Sequence, residues 1–278
     1  MNEETFEGTG GITIFTRSWR PPSGKPRAVL VSVHGLKAHG GLFDWAAAEF
    51  VKRGIAVYNL DLRGHGRSGG AALEIESFAD YLSDVGQLVD LARKREPGLP
   101  IFVLGHSAGG VVGLHYVREH QQEIAGFICH SFAQEVPAPD IVLTLLRGIS
   151  HLAPHIGVFE LKNEAFSRDP AFVERMRNDP YLTEAKYPAR TIAELARADD
   201  RMKKEFQTVT LPLLIMHGSA DAVTVPHGSK LFYEKAGSTD KTLKLYEGHF
   251  HDLLNDLGKE QVLEDIVAWI AARVERRS

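Results

Sequence analysis

The residues best suited to covalent chemistry sit in three short segments. Gly105-His106-Ser107-Ala108-Gly109-Gly110 follows the apolar run Ile101 to Leu104 and precedes a helix-like pattern, Val111 to Val117. The G-x-S-x-G spacing fits a turn so tight that glycines must flank the serine, leaving its Oγ exposed above a sheet edge as a nucleophile. A serine hydroxyl needs a base to take its proton, and the base needs an acid to orient it. After such a turn the chain order is serine, then Asp or Glu, then histidine. Leu213 to His217 runs into Gly218-Ser219-Ala220-Asp221, and Thr242 to Glu247 runs into Gly248-His249-Phe250-His251. Asp221 is the candidate acid, while periodicity leaves both His249 and His251 open as the base. The first apolar strand ends in His34-Gly35-Leu36, so the main-chain N–H groups of Leu36 and of Ala108, which follows the serine, are the candidate oxyanion donors. His34 and His39 are assigned no chemistry. Asp61 to Ser68 (DLRGHGRS) reads as a loop that braces its neighbours through hydrogen bonds, because its Gly-His-Gly lacks the spacing of a dinucleotide fingerprint. A metal on His249 and His251 would lack the carboxylate or cysteine ligands to complete its shell, so neither metal nor cofactor is expected. The implied chemistry is acyl transfer in two steps, with activity rising through a histidine pKa of about 6 to 7.

Such groups have to be carried by strands that end at one edge of a sheet. Ala28 to Val33, Ile55 to Leu60, Ile101 to Leu104, Ile124 to His130, Leu213 to His217 and Leu243 to Tyr246 are short and rich in Val, Ile and Leu, as strands buried on both faces are. Ile12 to Trp19, closed by Pro21-Pro22, reads as hairpin structure feeding the first of them. Between the strands lie helical periods, clearest in Phe78, Tyr81, Leu82, Val85, Leu88, Val89 and Ala92. Alternation of this kind predicts an α/β fold, a mostly parallel sheet flanked by helices. From Phe132 to Val209 the rhythm stops: there are helical patterns and several prolines but no convincing strand, so 132–208 is expected to form an inserted helical subdomain. Within it, Asp140 to Ser150 is apolar around most of its circumference and suited to packing, substrate or lipid, whereas Arg190 to Phe206 is amphipathic.

A chain of 278 residues with 44% hydrophobic residues suffices for one large core, and the reading is a single domain, 1–278, carrying the insertion. Its net charge of −4, from 32 basic and 36 acidic residues without long like-charged runs, argues against nucleic acid as a partner. The one cysteine, Cys129, is read as a small buried hydrophobe. MNEETFEGTG is not a signal peptide and no stretch is apolar enough to span a membrane, so a cytoplasmic location is expected.

HGLKAH (34–39), DLRGHGRS (61–68), GHSAGG (105–110), SRDP (167–170), NDP (178–180), HGSAD (217–221) and DKTLKLYEGHFHDLLND (240–256) together resemble the monoacylglycerol lipase and lysophospholipase-like family of the α/β-hydrolase superfamily. The resemblance runs over nearly the whole chain. It implies the α/β-hydrolase fold, and a final Gly-x-x-His motif that maps onto Gly248 to His251 and selects His251 as the base. It implies further that 132–208 is a cap over an acyl-binding tunnel, with SRDP and NDP inside it, and that the substrate is an acylglycerol ester. A broad carboxylesterase or lysophospholipase is the nearest alternative, followed by an amide hydrolase or peptidase and a non-catalytic ligand receptor. Ser107 excludes the dehalogenases of this fold, whose nucleophile is Asp. An apolar cap helix would also allow transient contact with a membrane. Ala108 stands where the family commonly has Met, and Leu36 is bulkier than the residue in mammalian relatives, so acyl-site shape is expected to differ.

Overall fold

In the computed structural model, which describes residues 1–22, 24–135 and 150–276, the apolar runs form one eight-stranded sheet. Its strands are β1 (Asn2–Glu7), β2 (Thr13–Trp19), β3 (Ala28–Val33), β4 (Ile55–Leu60), β5 (Ile101–His106), β6 (Gly126–His130), β9 (Leu213–Gly218) and β10 (Lys241–Tyr246), in the order β1-β2-β4-β3-β5-β6-β9-β10. From β4 to β10 every neighbouring pair is parallel. β1 pairs antiparallel with β2, and β2 with β4. The expected hairpin therefore exists, but its second arm is Asn2–Glu7, an acidic stretch without a strand signal. It is an edge strand, where charged residues facing water are tolerated and block further pairing.

The central strands alternate between the two faces as a pleat requires. Val29, Val31 and Val33 of β3 pack with Val103 of β5 against α2 (Phe78–Arg95) and α3 (Ala108–Glu119). Leu30, Phe102 and Leu104 face the other way, onto Phe50 of α1 (Asp44–Lys52) and Ile266 and Trp269 of α7 (Lys259–Glu275). Helix α2 buries Phe78, Tyr81, Val85, Leu88, Val89 and Ala92, the stripe its periodicity predicts, and starts where the Ser77 side chain caps the Ala79 N–H. Cys129 is buried in the first of these cores.

Between β6 and β9, the described residues hold α4 (Pro170–Arg177), capped by Asp169, and α5 (Ala189–Lys203), which covers most of the expected amphipathic stretch. They also hold a short antiparallel pair, β7 (Gly157–Phe159) with β8 (Tyr187–Pro188). The expectation of no strand here is corrected: two or three residues per strand are too few to produce an alternating signal. The apolar stretch at 140–149 lies outside the described residues. Helix α6 (Pro226–Lys235) completes the outer layer. No helix among the described residues is long and apolar enough to cross a membrane.

Candidate active site

Ser107, Asp221, His251 and Leu36 all follow the carboxyl ends of strands, β5, β9, β10 and β3 respectively, at the edge where open α/β sheets collect their reactive groups. Ser107 lies between β5 and α3 with φ 55° and ψ −121°, a conformation rarely adopted by a residue with a Cβ. The flanking glycines are required by contact. A Cβ on Gly109 would lie 2.3 Å from the carbonyl oxygens of Val33 and His34, and one on Gly105 2.6 Å from the Gly109 oxygen. Gly35 brings the β3 loop equally close, because a Cβ there would be 2.8 Å from that of Ser107. The residues after these two contact points, Leu36 and Ala108, both have main-chain N–H groups that donate to no other group among the described residues. Ala108 also opens helix α3, whose first N–H groups and dipole favour negative charge.

His251 Nδ1 donates to Asp221 Oδ2 at 2.8 Å, with both side chains buried. Its Nε2 is buried and has no hydrogen-bond partner among the described residues, so Ser107 Oγ and His251 are adjacent but not hydrogen-bonded. Such bonds commonly tighten only when substrate is bound. The two elements are nevertheless adjacent: the His106 ring, next to Ser107, lies 4.8 Å from the His251 ring. His249 Nδ1 lies instead on the Glu247 carbonyl at 3.2 Å, and among the described residues it has no hydrogen bond to Asp221.

Asp221 is saturated with donors. Oδ1 accepts from Val223 N (2.8 Å) and Thr224 N (3.0 Å), and Oδ2 accepts from Thr224 Oγ1 (2.8 Å) and His217 Nε2 (3.1 Å) besides His251. Burial alone would raise its carboxyl, but the facing His251 and the bonds from His217 and His251 outweigh burial and hold it well below the usual carboxylate range. His217 in turn takes Ser229 Oγ on Nδ1 at 2.7 Å. Neither His217 nor Thr224 was singled out from sequence, although His217 opens the HGSAD motif and Thr224 follows Asp221 at a turn's spacing.

The segments that resembled a cap are tied to the same loops. Asp256, after His251, accepts from Arg168 N and Nε and from Phe250 N, joining SRDP to the histidine loop. Phe166 sets its ring edge-on to His251 at 5.3 Å. Asp179 of NDP bonds His39 Nε2 at 3.0 Å, and His39 Nδ1 accepts from Gly41 N. In the 61–68 loop, buried Asp61 accepts from Arg17, Gly40 N and Arg67 N, and Ser68 Oγ bridges the Asp61 carbonyl and Phe15 N, so this loop braces its neighbours as expected. His34 Nδ1 donates to the Gly35 carbonyl and Nε2 accepts from Leu62 N. Leu36 and Ala108 belong to a separate apolar cluster with Leu161, Phe166, Phe172, Met176 and Tyr187, so hydrocarbon lines the space beside the candidate oxyanion donors.

The sequence model of Hydrolase_4, described as serine aminopeptidase, S33, matches residues 24–258. The chain belongs to this family of α/β-hydrolases. Monoacylglycerol lipase of Mycolicibacterium smegmatis is 34% identical over 277 residues, covering 98% of each chain. Monoglyceride lipase of Rattus norvegicus is 30% identical over 269 residues, 95% of this chain and 88% of that one. The crystal structure of Paleococcus ferrophilus monoacylglycerol lipase superposes with a TM-score of 0.83 at 25% identity over 94% of this chain and 99% of that one. The protein is thus a serine hydrolase of the monoacylglycerol lipase-like type, with the α/β-hydrolase fold read from its sequence.

For this hydrolase the buried histidines set an acid limit. Burial pushes His34 and His130 down to about 3, and His106 well below the usual histidine value. Below about pH 6.5 the unfolded chain protonates these rings while the folded one does not, so stability falls with pH. By pH 5 each of the first two costs roughly 2 kcal/mol. Buried Asp252, pushed up to about 6, works in the opposite direction by taking a proton in the folded state, but returns only about 1 kcal/mol. The thermal midpoint should fall by several degrees between pH 7.5 and 5, as read by calorimetry; a flat profile would mean that these rings are charged in the folded protein.

Proposed function

We propose that this enzyme hydrolyses monoacylglycerols to glycerol and fatty acid through an acyl-enzyme on Ser107. His251 Nε2 takes the Ser107 proton, Oγ attacks the ester carbonyl, and the Leu36 and Ala108 N–H groups hold the tetrahedral oxyanion. His251 returns the proton to the glycerol oxygen, then activates water to release the fatty acid. Asp221 fixes the Nδ1–H tautomer and stabilises the imidazolium. Residues 132–208 act as the cap over the acyl chain. The observation that carries the substrate class is the apolar cluster spanning Leu36, Ala108 and the segment from Leu161 to Tyr187. Esters of the Mycolicibacterium smegmatis and Rattus norvegicus relatives' kind, monoacylglycerols, fit it. The reading also places the enzyme in the cytoplasm, with exposed Leu152 and Ile156 of the cap meeting insoluble substrate transiently.

The family's aminopeptidase description favours a second reading, hydrolysis of amides beside a free amine. An ammonium group needs a free carboxylate. Asp221 already accepts five hydrogen bonds, Asp179 and Glu184 are paired with His39 and Lys37, and Asp252 is buried with its carboxyl raised to about 6. A panel of monoacylglycerols of increasing chain length, nitrophenyl esters, lysophospholipids and aminoacyl amides separates the readings. Monoacylglycerols of medium to long chain should show the highest kcat/KM; faster turnover of aminoacyl amides would replace this reading with the second.

A further inference from the structure

Lys37 directly follows Leu36 and is the only residue of the HGLKAH loop with a left-handed backbone, φ 50°. A side chain with a Cβ disfavours that conformation and keeps it only where its surroundings over-determine it. Here the surroundings are one segment of the chain. The Lys37 N–H donates to Tyr187 Oη at 2.5 Å, and its buried Nζ donates to the Leu161 carbonyl at 2.7 Å and to Glu184 Oε2 at 2.8 Å. Tyr187 Oη is itself held by His65 Nε2 at 3.1 Å, and Glu184 Oε1 by Asn163 Nδ2 at 3.3 Å. The Lys37 side chain is 4% exposed while that of Glu184 is 67% exposed, so the cation is enclosed and its carboxylate partner reaches in from the surface.

We propose that Lys37 is a positioning residue: its grip on Leu161, Glu184 and Tyr187 fixes the left-handed turn that aims the Leu36 N–H, so that oxyanion binding depends on residues 161–187 being docked on this loop. This rests on the reading of Leu36 as an oxyanion donor. The Lys37 side chain touches no reacting atom in this scheme. An oxyanion donor acts on charge that develops only in the transition state, so a donor that has lost its aim lowers kcat and leaves KM nearly unchanged. Loss of a whole donor costs about 10²- to 10³-fold, and a donor that is present but loosely held should cost about 10-fold.

Lys37→Gly is the informative variant, because glycine accepts φ 50° without strain and keeps the main-chain bond to Tyr187 while removing the ammonium group and its bonds to Leu161 and Glu184, so the turn stays allowed but loses its side-chain tether. With nitrophenyl butyrate, an ester that reports acyl transfer whatever the natural head group, Lys37→Gly should lower kcat about 10-fold with KM within about twofold, and the protein should still melt cooperatively, because relief of the left-handed strain offsets part of the lost side-chain bonds. Lys37→Arg, which keeps the charge and the donors, should recover most of the loss. Glu184→Gln, at a largely exposed position that does not threaten folding, should lower kcat in the same direction by a smaller factor. Wild-type kcat in Lys37→Gly, or a change confined to KM, overturns the role of Lys37, provided Ser107→Ala is inactive in the same assay. Turnover that survives in Ser107→Ala overturns instead the acyl-transfer reading beneath it.

Discussion

Ser107→Ala should reduce ester turnover by about 10⁶-fold in kcat, the scale on which loss of the nucleophile removes covalent catalysis, while leaving the protein fully folded. The Ser107 side chain makes no hydrogen bond to the described residues, and the tight turn is formed by its backbone and by Gly105 and Gly109. Removing one oxygen therefore leaves the packing intact. The strain at φ 55° and ψ −121° remains in the alanine variant, because alanine carries the same Cβ. Ser107→Gly separates the two contributions: it should be equally inactive yet more stable by about 1 kcal/mol, since glycine adopts this backbone freely. Thermal melts of the three proteins beside a nitrophenyl ester assay and fluorophosphonate labelling read both quantities. An active Ser107→Ala enzyme would remove Ser107 from the mechanism, and a glycine variant less stable than wild type would show that the turn stores no strain.

The contrast between these variants also explains what could be read from the sequence. Glycines at 105 and 109 are dictated by carbonyl oxygens 2.3 to 2.6 Å from any added Cβ, a constraint local enough to leave a motif. The parallel strands were legible because burial on both faces imposes continuous apolar runs. Asn2–Glu7 was not, since an edge strand is selected for charge, nor were the short β7 and β8, whose pairing depends on tertiary contacts. At the site, the order of Ser107, Asp221 and His251 was legible, but the support beneath them was not. Thr224 and His217, only three and four residues from Asp221, act on it across a turn of a kind that many polar loops share, and Lys37 and Tyr187 act on the Leu36 loop through a bond between residues 150 apart in the chain. A hydrogen bond of that span leaves no spacing to detect, and polar side chains of these types are ordinarily read as solvated.

Asp221→Asn should cost about 10⁴-fold in kcat, the loss expected when a triad histidine is turned to the wrong tautomer. All five of the Asp221 bonds come from donors, two main-chain N–H groups on Oδ1 and Thr224, His217 and His251 on Oδ2. An amide has one accepting oxygen and one donating nitrogen, so some of these donors must face an N–H. If the oxygen keeps the Val223 and Thr224 N–H groups, the amide nitrogen faces His251 Nδ1. His251 then holds its proton on Nε2, leaving no lone pair for Ser107. If the amide flips, His251 keeps its tautomer, but two main-chain donors are left unsatisfied in a buried turn, which costs about 1 to 3 kcal/mol each. The first orientation is therefore favoured, and the variant should fold, bind substrate with an unchanged KM and react slowly with fluorophosphonate. Asp252→Asn is the matched control. Asp252 adjoins His251 in sequence but accepts from Asn255 and has no hydrogen bond to the imidazole, so neutralising it should change kcat by no more than a few-fold. If the two substitutions instead had equal effects, the charge near His251 would matter and the tautomer would not.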